Sequence, residues 1–452
     1  MLRYKYTNTY TKEHIKEYTK EYINKYDVEY NVEYNDVHNV EYSDRYNAEY
    51  DAEYSNGRSS RYRGRNASDR RRHNRLISGM SVIAGLILSM SVLLTGCGKA
   101  SAVSGTGTDT KGEEAVTEEA TTKNVHPYDI TLTFTGDINL AEGEPTTKEL
   151  DKNNGDITKC ISPELIQYMK AADVTLVNNE FCYSDRGEPL ANKMWTFRAK
   201  PERAKVLNSL GVDVAQLANN HVYDYGQTAM YDTFDALAAV GIPYVGAGRN
   251  LEEAMKPFYT TVDGKKIAIV AASRAEKYKM TPQATDSTPG ILRCYDTELF
   301  IQTIKEAREN ADYVVAVVHW GTEHTTVLEE VQRSTARDYI DAGADIIIGG
   351  HSHCLQGIEY YEDKPIFYSL GNFWFDEYNV DTMLVNIRIS GDDETESKVD
   401  VSVVPAVQDG TLSGCITRIC TEESDKNRIF GLLNDVSINA DVDKDGVVTQ
   451  VK

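Results

Sequence analysis

The feature that most constrains the fold is the alternation of strand and helix patterns between about residues 128 and 407. Short apolar runs such as Val174–Asn178 and Tyr313–His319 are typical of buried strands. The segments Gln227–Val240 and Glu329–Ala342 repeat apolar residues at helical spacing. This alternation favours an α/β domain with buried sheets. The same criteria predict strands at Ile130–Thr135, Val212–Leu217 and Asp345–Gly349, helices at Pro163–Ala171, Glu202–Leu210 and Thr297–Asn310, and a hairpin turning at Asp263-Gly264.

Residues 1–75 differ in composition from the alternating part, because Tyr recurs there every four residues before a basic stretch. A period of four drifts around a helix of 3.6 residues per turn, so the tract presents no stable apolar face and we expect disorder. The tract also looks like a translated tandem repeat of DNA. A translation start further downstream therefore stays open.

Residues 76–97 have the pattern of a targeting segment. An apolar run follows the basic stretch and ends in Leu94-Thr95-Gly96-Cys97, which resembles the lipobox of bacterial lipoproteins and implies lipidation of Cys97 after cleavage. The alternative is an uncleaved transmembrane helix, since the run is just long enough to span a bilayer. Both interpretations predict that the later residues lie on the extracytoplasmic face of the cell membrane. The polar residues 98–127 then form a solvated tether.

Charge and cysteine content narrow the classes of partner. The net charge of -22 disfavours a nucleic-acid partner, because binding to phosphate backbones depends on basic surfaces. The seven cysteines form no CxxC pair and no regular framework, so neither a zinc ribbon nor a disulfide scaffold is predicted. Apart from Cys97, we expect free thiols.

Polar motifs end five of the predicted strands, where open α/β sheets place their ligand sites. These motifs are Thr135-Gly136-Asp137-Ile138-Asn139, Asn178-Asn179-Glu180, Asn219-Asn220-His221-Val222-Tyr223-Asp224, His319-Trp320-Gly321 and Gly349-Gly350-His351-Ser352-His353. Their carboxylates, carboxamides and imidazoles suit Mn, Fe, Zn or Mg, and the groups suffice for two divalent metal ions. Paired ions supply Lewis acidity and a nucleophile at neutral pH, and a neighbouring His can protonate a leaving oxygen.

In these motifs the chain resembles the calcineurin-like metallophosphoesterase superfamily. The resemblance implies a four-layer αββα sandwich, a metal-dependent hydrolase or transferase activity, and His221 as the general acid or transition-state stabiliser. It also implies two metal sites, the first with Asp137, Glu180 and His353 and the second with Glu180, Asn220, His319 and His351. Asn139 stands where the superfamily has His, so metal ligation and an orienting or structural role both stay open for it.

Further motifs are similar to the bacterial capsule synthesis (CapA-type) branch of that superfamily. They are Trp195-Thr196-Phe197-Arg198, Leu217-Ala218-Asn219-Asn220-His221, His319-Trp320-Gly321 and Ser369-Leu370-Gly371-Asn372-Phe373. This resemblance implies a role in making, exporting or anchoring poly-γ-glutamate or a related envelope polymer, with membrane polymer synthase subunits as candidate partners. A non-catalytic assembly or polymer-binding factor with a degenerate metal site is the alternative.

Several residues near these motifs carry two interpretations each. Arg198 is a candidate for binding an anionic substrate group, against a surface ion pair. Asn372 is a candidate substrate-binding residue that could instead orient the site or cap a turn, and Asp224 has the last two alternatives. Trp195, Trp320 and Trp374 either line a cleft or pack in the core.

The main domain is predicted to span residues 128–410 and to be followed by a C-terminal extension, 411–452. Within the extension, Asp441-Val442-Asp443-Lys444-Asp445-Gly446 looks like the start of a calcium loop. Position twelve of such a loop is Lys452, where a Glu is needed, so we expect a β-turn at Asp445-Gly446.

Overall fold

The structure, a computed structural model, describes residues 126–276, 280–411 and 413–451. The predictions for residues 1–75, for the targeting segment with Cys97 and for nearly all of the tether lie outside these ranges. In the described ranges, no helix combines the length and the apolarity that crossing a membrane requires. The six described cysteines are free thiols.

Strands and helices alternate along most of the described chain. The strands are β1 (Tyr128–Ile138), β2 (Val174–Asn179), β3 (Cys182–Tyr183), β4 (Arg198–Ala199), β5 (Val214–Gln216), β6 (Tyr244–Val245), β7 (Ala247–Gly248), β8 (Phe258–Val262), β9 (Lys265–Ser273), β10 (Gly290–Ile291), β11 (Tyr313–His319), β12 (Ile346–Gly350), β13 (Ile358–Tyr361), β14 (Lys364–Phe367), β15 (Asn372–Trp374), β16 (Val380–Gly391), β17 (Lys398–Thr411), β18 (Gly414–Ile419), β19 (Ala440–Val442) and β20 (Val447–Gln450). The α-helices are α1 (Pro145–Lys152), α2 (Pro163–Ala171), α3 (Lys205–Leu210), α4 (Gly226–Ala239), α5 (Leu251–Met255), α6 (Glu298–Asn310), α7 (Glu330–Asp341) and α8 (Glu423–Val436).

Two large sheets organise these elements. The ten-stranded sheet runs in the order β19-β20-β17-β16-β1-β2-β5-β6, with β15 also paired to β1 and β18 to β17. The six-stranded sheet has the order β13-β14-β12-β11-β9-β8. The central pairs β1/β2, β2/β5, β9/β11 and β11/β12 are parallel. Their carboxyl ends therefore meet at one edge of each sheet.

Three buried clusters show how the layers stack. The inner cluster joins residues of both sheets, for example Phe134 of β1 and Val315 of β11, so the sheets pack face to face. A second cluster covers the outer face of the ten-stranded sheet with α1 to α4, and a third covers the six-stranded sheet with α6 and α7. The chain is thus an αββα sandwich of four layers, as the resemblance implied.

Residues 413–451, most of the predicted C-terminal extension, complete this sandwich. Strand β18 pairs with β17, and β20 pairs with both β17 and β19. Ile429, Phe430 and Leu433 of α8 belong to the core between the sheets. The predicted turn is present, because Asp443 Oδ1 accepts hydrogen bonds from the N–H groups of Asp445 and Val447.

Most of the predicted elements are confirmed, with shifts at their ends. Strand β11 has the predicted bounds and so does helix α2. The helix predicted at Glu202–Leu210 begins as a 3-10 turn over Pro201–Ala204 and continues as α3. Helix α1 was not predicted, because its stretch Pro145–Lys152 is mostly polar and carries little apolar periodicity.

Candidate metal centre

The polar strand ends of the two sheets converge on one buried cluster. Asp137 near the end of β1 pairs in register with Asn178 of β2 and Asn372 of β15. In the second sheet, His319 at the end of β11 pairs with Gly350 of β12. All the predicted ligands are buried: Asp137, Asn139, Glu180, Asn220, His319, His351 and His353.

Glycine permits the close approach between these strand ends. A Cβ on Gly350 would lie 2.7 Å from Asp137 Oδ1, closer than the Cβ atoms of folded proteins come to such a neighbour. The turn that follows carries its two histidines at positive φ, 92° for His351 and 53° for His353. Non-glycine residues in this conformation are uncommon and costly, and such strain concentrates at functional sites.

Glu180 lies at the centre of the cluster. Its Oε1 is 3.4 Å from His319 Nε2, 3.9 Å from His221 Nε2 and 4.0 Å from His353 Nε2. This oxygen is fully buried and accepts no hydrogen bond from any described residue. A buried carboxylate oxygen among three imidazole nitrogens without a donor is costly unless a cation balances it.

Two overlapping groups of side chains have the spacing of metal ligands. One group is Glu180, His319 and His351, and the other is Asp137, Glu180 and His353, with all ligand atoms of a group within 4.8 Å of one another. Glu180 belongs to both groups, which is the arrangement that a bridging carboxylate needs. His351 Nδ1 is also buried and has no partner among the described residues. The donor set therefore fits divalent ions.

The ionisation of these groups follows from their burial and from the two carboxylates among them. Burial, and then the neighbouring Asp137, raise the pKa of Glu180 well above its ordinary value. Burial lowers the pKa of His319 to about 4 and that of His351 well below its usual range. Burial acts in the same direction on His353, but Glu180 and Asp137 outweigh it and raise its pKa to about 9. The two carboxylates thus favour a nearby cation.

A hydrogen bond to a neighbouring amide sets the orientation of His353. The ring Nδ1 of His353 lies 2.7 Å from Asn372 Oδ1, and Asn372 Nδ2 donates to Asp376 Oδ2 at 3.1 Å. Because an amide oxygen only accepts, Nδ1 carries the proton and Nε2 of His353 is left for a metal. Both ends of the Asn372 side chain are therefore engaged within the chain, which fits the orienting alternative.

His221 is held by Asp224. The distance from His221 Nδ1 to Asp224 Oδ2 is 2.7 Å, and the Phe197 ring lies 4.5 Å from the imidazole. The carboxylate accepts the Nδ1 proton, so Nε2 faces Glu180. Burial lowers the pKa of His221 although Asp224 acts in the opposite direction. Asp224 thus takes the orienting role, one of its two alternatives.

Asn139 and Arg198 are engaged with the backbone. Asn139 Oδ1 accepts a hydrogen bond of 2.9 Å from Ala141 N, while its buried Nδ2 has no partner in the described chain. Arg198 Nη1 donates to the carbonyls of Arg186 and Gly187, and its guanidinium stacks 4.1 Å above the Tyr225 ring. No described carboxylate forms an ion pair with Arg198, so the surface ion pair is absent from the described residues.

Two of the three tryptophans pack in the core, which is one of their two alternatives. Trp320 and Trp374 are completely buried and pack in the cores, whereas Trp195 is 61% exposed.

Sequence reasoning missed Lys193, which is a buried cation beside the cluster. Its side chain is 4% exposed, and its Nζ lies 2.6 Å from Asp224 Oδ1 and 3.2 Å from Glu276 Oε1. Lys193 Nζ also donates to the carbonyl of Asn220. Nothing in the polar stretch Asn192-Lys193 sets this lysine apart from solvated ones, because its partners are far away in the sequence.

Comparison with known proteins gives consistent results. The sequence model of a family described as "Bacterial capsule synthesis protein PGA_cap" matches residues 131–377. The chain is 32% identical to the capsule biosynthesis protein CapA of Bacillus anthracis, over 67% of this chain and 72% of that one. It is 36% identical to the PGA biosynthesis protein CapA of Bacillus subtilis, over 57% and 67% respectively. The NAD nucleotidase NadN of Haemophilus influenzae is a distant structural likeness, with 13% identity, a TM-score of 0.35 and coverage of 69% of this chain and 57% of that one.

Proposed function

The chain belongs to the bacterial capsule synthesis protein family, and from this premise we propose that it acts on an envelope polymer through a metal-dependent hydrolase-like site. The polymer is poly-γ-glutamate or a related anionic chain, since two relatives are named for capsule and PGA biosynthesis. The protein works on the extracytoplasmic face of the membrane, anchored through Cys97 or an uncleaved span. Membrane polymer synthase subunits are its candidate partners.

The observation that carries the proposal is the environment of Glu180. Its Oε1 has no hydrogen-bond donor among the described residues and is ringed by the Nε2 atoms of three histidines. We assign one ion to Asp137, Glu180 and His353, and a second to Glu180, Asn220, His319 and His351. Two divalent ions bound there would supply Lewis acidity at an ester, phosphoryl or acyl centre.

The remaining residues hold the substrate and move protons. His221 keeps its Nδ1 proton on Asp224, so its Nε2 is directed at the cluster and is positioned to give a proton to a leaving oxygen. Arg198 retains guanidinium donors beyond those that its two backbone carbonyls use, and these suit a carboxylate or phosphate of the substrate.

A second candidate function is a non-catalytic assembly or polymer-binding factor. Asn139 favours this non-catalytic role. Its Oδ1 already accepts a hydrogen bond from Ala141 N, and its amide nitrogen cannot ligate a metal. Without a ligand at this position, the first site has three protein ligands and a weakened affinity. A chain that binds polymer without turnover would then suffice for assembly.

Metal content is the first test. Elemental analysis of the purified chain should find about two transition-metal equivalents, and an Asp137→Ala, His351→Ala double variant should lose them. The matched control is His126→Ala, an exposed histidine that is not among the predicted ligands and should retain the metal. Absence of metal after reconstitution would contradict the two-metal site.

Polymer formation separates the two candidate functions. Cells that carry His221→Ala should lose polymer if proton transfer at the site is required, while the purified variant keeps its metal. A near-normal amount of polymer in these cells would contradict the enzymatic proposal and favour the assembly factor. Purified protein should also be assayed on phosphoesters and poly-γ-glutamate.

A further inference from the structure

Two adjacent large apolar side chains are exposed at the site, outside the predicted ligand set. Met194 is 51% exposed and Trp195 is 61% exposed. Trp is usually mostly buried, and exposed aromatic side chains that are rigidly held are common anchors in binding surfaces.

The residues on both sides of Trp195 contact the same buried carboxylate. Lys193 Nζ lies 2.6 Å from Asp224 Oδ1, and Phe197 N donates to Asp224 Oδ2 at 2.7 Å. Two residues of chain span at most about 7 Å, so the Trp195 backbone cannot lie far from these contacts. Since Asp224 also holds His221, Trp195 stands at the rim of the candidate site.

Packing and hydrogen bonds fix the loop residues on both sides of Trp195. The Lys193 side chain is 4% exposed and Phe197 is 8% exposed, and the Phe197 ring packs on His221. Leu190 N also donates to the Asp224 carbonyl at 2.8 Å. Because the loop is already ordered, binding at Trp195 requires little further ordering of its backbone. Such ordering is a large part of the free-energy cost of association.

A cationic side chain follows this apolar pair in the sequence. Arg198 follows Phe197 in sequence, stacks on Tyr225 and has no ion-pair partner among the described carboxylates. The segment from Met194 to Arg198 therefore carries an aromatic face, a thioether and a guanidinium within five residues. This combination suits a chain that alternates methylene and amide groups with carboxylates, because the apolar faces cover the methylenes and Arg198 takes a carboxylate.

We propose that Met194 and Trp195 form a substrate subsite beside His221 that packs on the methylene–amide backbone of an acidic, amide-linked polymer. The inference rests on the proposed function, because the polymer is the occupant. The subsite positions the polymer so that one repeat unit reaches the buried cluster while the neighbouring repeat unit packs on Trp195.

Tryptophan fluorescence tests the subsite directly. The chain has three tryptophans, and Trp320 and Trp374 are completely buried, so a neutral quencher such as acrylamide reports mainly on Trp195. Poly-γ-glutamate oligomers added to the metal-loaded full chain should reduce this quenching. Trp195→Ala should weaken oligomer binding about 10-fold and leave the metal content unchanged, while Trp195→Phe should restore most of the affinity.

Tyr168→Ala is the matched control, since Tyr168 is a 44% exposed aromatic residue on α2, outside the site. Oligomer binding that is equal in wild type and Trp195→Ala, with unchanged quenching, would overturn the subsite alone. Protection of Trp195 by phospholipid vesicles instead of oligomers would also overturn it, in favour of a membrane contact. No oligomer binding by the metal-loaded wild type would contradict the polymer substrate and the subsite together.

Discussion

Two buried glutamates of this chain, Glu180 and Glu359, have opposite environments. Both are almost inaccessible to solvent, at 0% and 1% exposure. Glu180 Oε1 has no hydrogen-bond donor in the described chain, and the pKa of its carboxyl is raised well above the ordinary value. Glu359 on β13 has donors on both oxygens.

The partners of Glu359 explain its different ionisation. Tyr368 Oη donates to Oε2 at 2.8 Å, and Arg337 Nε donates to Oε1 at 3.2 Å. Arg333 forms an ion pair with Oε2 at 3.4 Å. Burial alone would raise the pKa of Glu359, but the hydrogen bonds from Arg337 and Tyr368 lower it below its usual value.

The difference separates a structural carboxylate from a functional one. Glu359 ties α7 to the six-stranded sheet, and its charge is compensated within the chain. Glu180 Oε1 is equally buried but has no hydrogen-bond donor among the described residues, and the nearest imidazole nitrogens lie 3.4 to 4.0 Å away, so its charge is less well compensated than that of Glu359. Asp224 is intermediate, since it lies in the site but is compensated by Lys193.

The largest expected effect on stability comes from removing the cation beside Asp224. Lys193→Met should lower the free energy of unfolding by about 3–5 kcal/mol, because it leaves Asp224 charged and buried without its partner. Denaturant unfolding measures this change. Lys444→Met, at an exposed ion pair, should show no measurable change. If Lys193→Met changed the free energy of unfolding as little as Lys444→Met, Asp224 would have to be more solvated than its burial indicates.

Glu180→Gln should separate metal binding from stability. Metal affinity should fall at least about 100-fold, since loss of groups that merely orient ligands already costs 10–100-fold. The metal-free variant should be as stable as the wild type or more stable, because a neutral amide removes the uncompensated charge. Calorimetric metal titration and unfolding of the metal-free protein measure both effects. A clear loss of metal-free stability would contradict the view that Glu180 is uncompensated.

Glu359→Gln should show the reverse pattern. The free energy of unfolding should fall by about 1–3 kcal/mol, because hydrogen bonds to a charged group are lost from a buried position. Metal content should stay at the wild-type level. Loss of metal in this variant would mean that the six-stranded sheet transmits the change to the cluster.

The pH dependence of stability should have opposite signs for the two glutamates. The pKa of Glu359 is lower in the folded state than in the unfolded state. The stability that Glu359 contributes is therefore fully present above its unfolded-state pKa and is lost as the pH falls through its folded-state pKa. The pKa of Glu180 is higher in the folded state than in the unfolded state. The metal-free protein therefore loses stability as the pH rises from the unfolded-state pKa of Glu180 to its folded-state pKa. Unfolding of both Gln variants and wild type without metal, between about pH 4 and 8, measures these smaller differences. Parallel curves for the two variants would contradict the comparison.

Much of the fold could be read from local sequence, whereas the predicted ligand set came from the resemblance to a known superfamily. Strand β11 has the bounds that its apolar run predicts, and the turn at Asp443 follows from its Asp-Gly signal. Helix α1 was missed because its sequence is mostly polar. The pairing of β18 and β20 with β17 was also not foreseen, because pairing partners leave no mark in local periodicity.

By itself, the sequence determined which groups stand at the strand ends, because a short-range pattern places Asp137 and His319 near the ends of buried strands and His353 three residues beyond one. It could not decide the charge environment of each group. Glu180 and Glu359 are the same residue type and both are buried. Only the tertiary structure brings three imidazoles to Glu180 and brings Arg337 and Tyr368 to Glu359. The physical reason is that electrostatic compensation acts over a few ångströms of space between residues far apart in sequence, which local patterns do not encode.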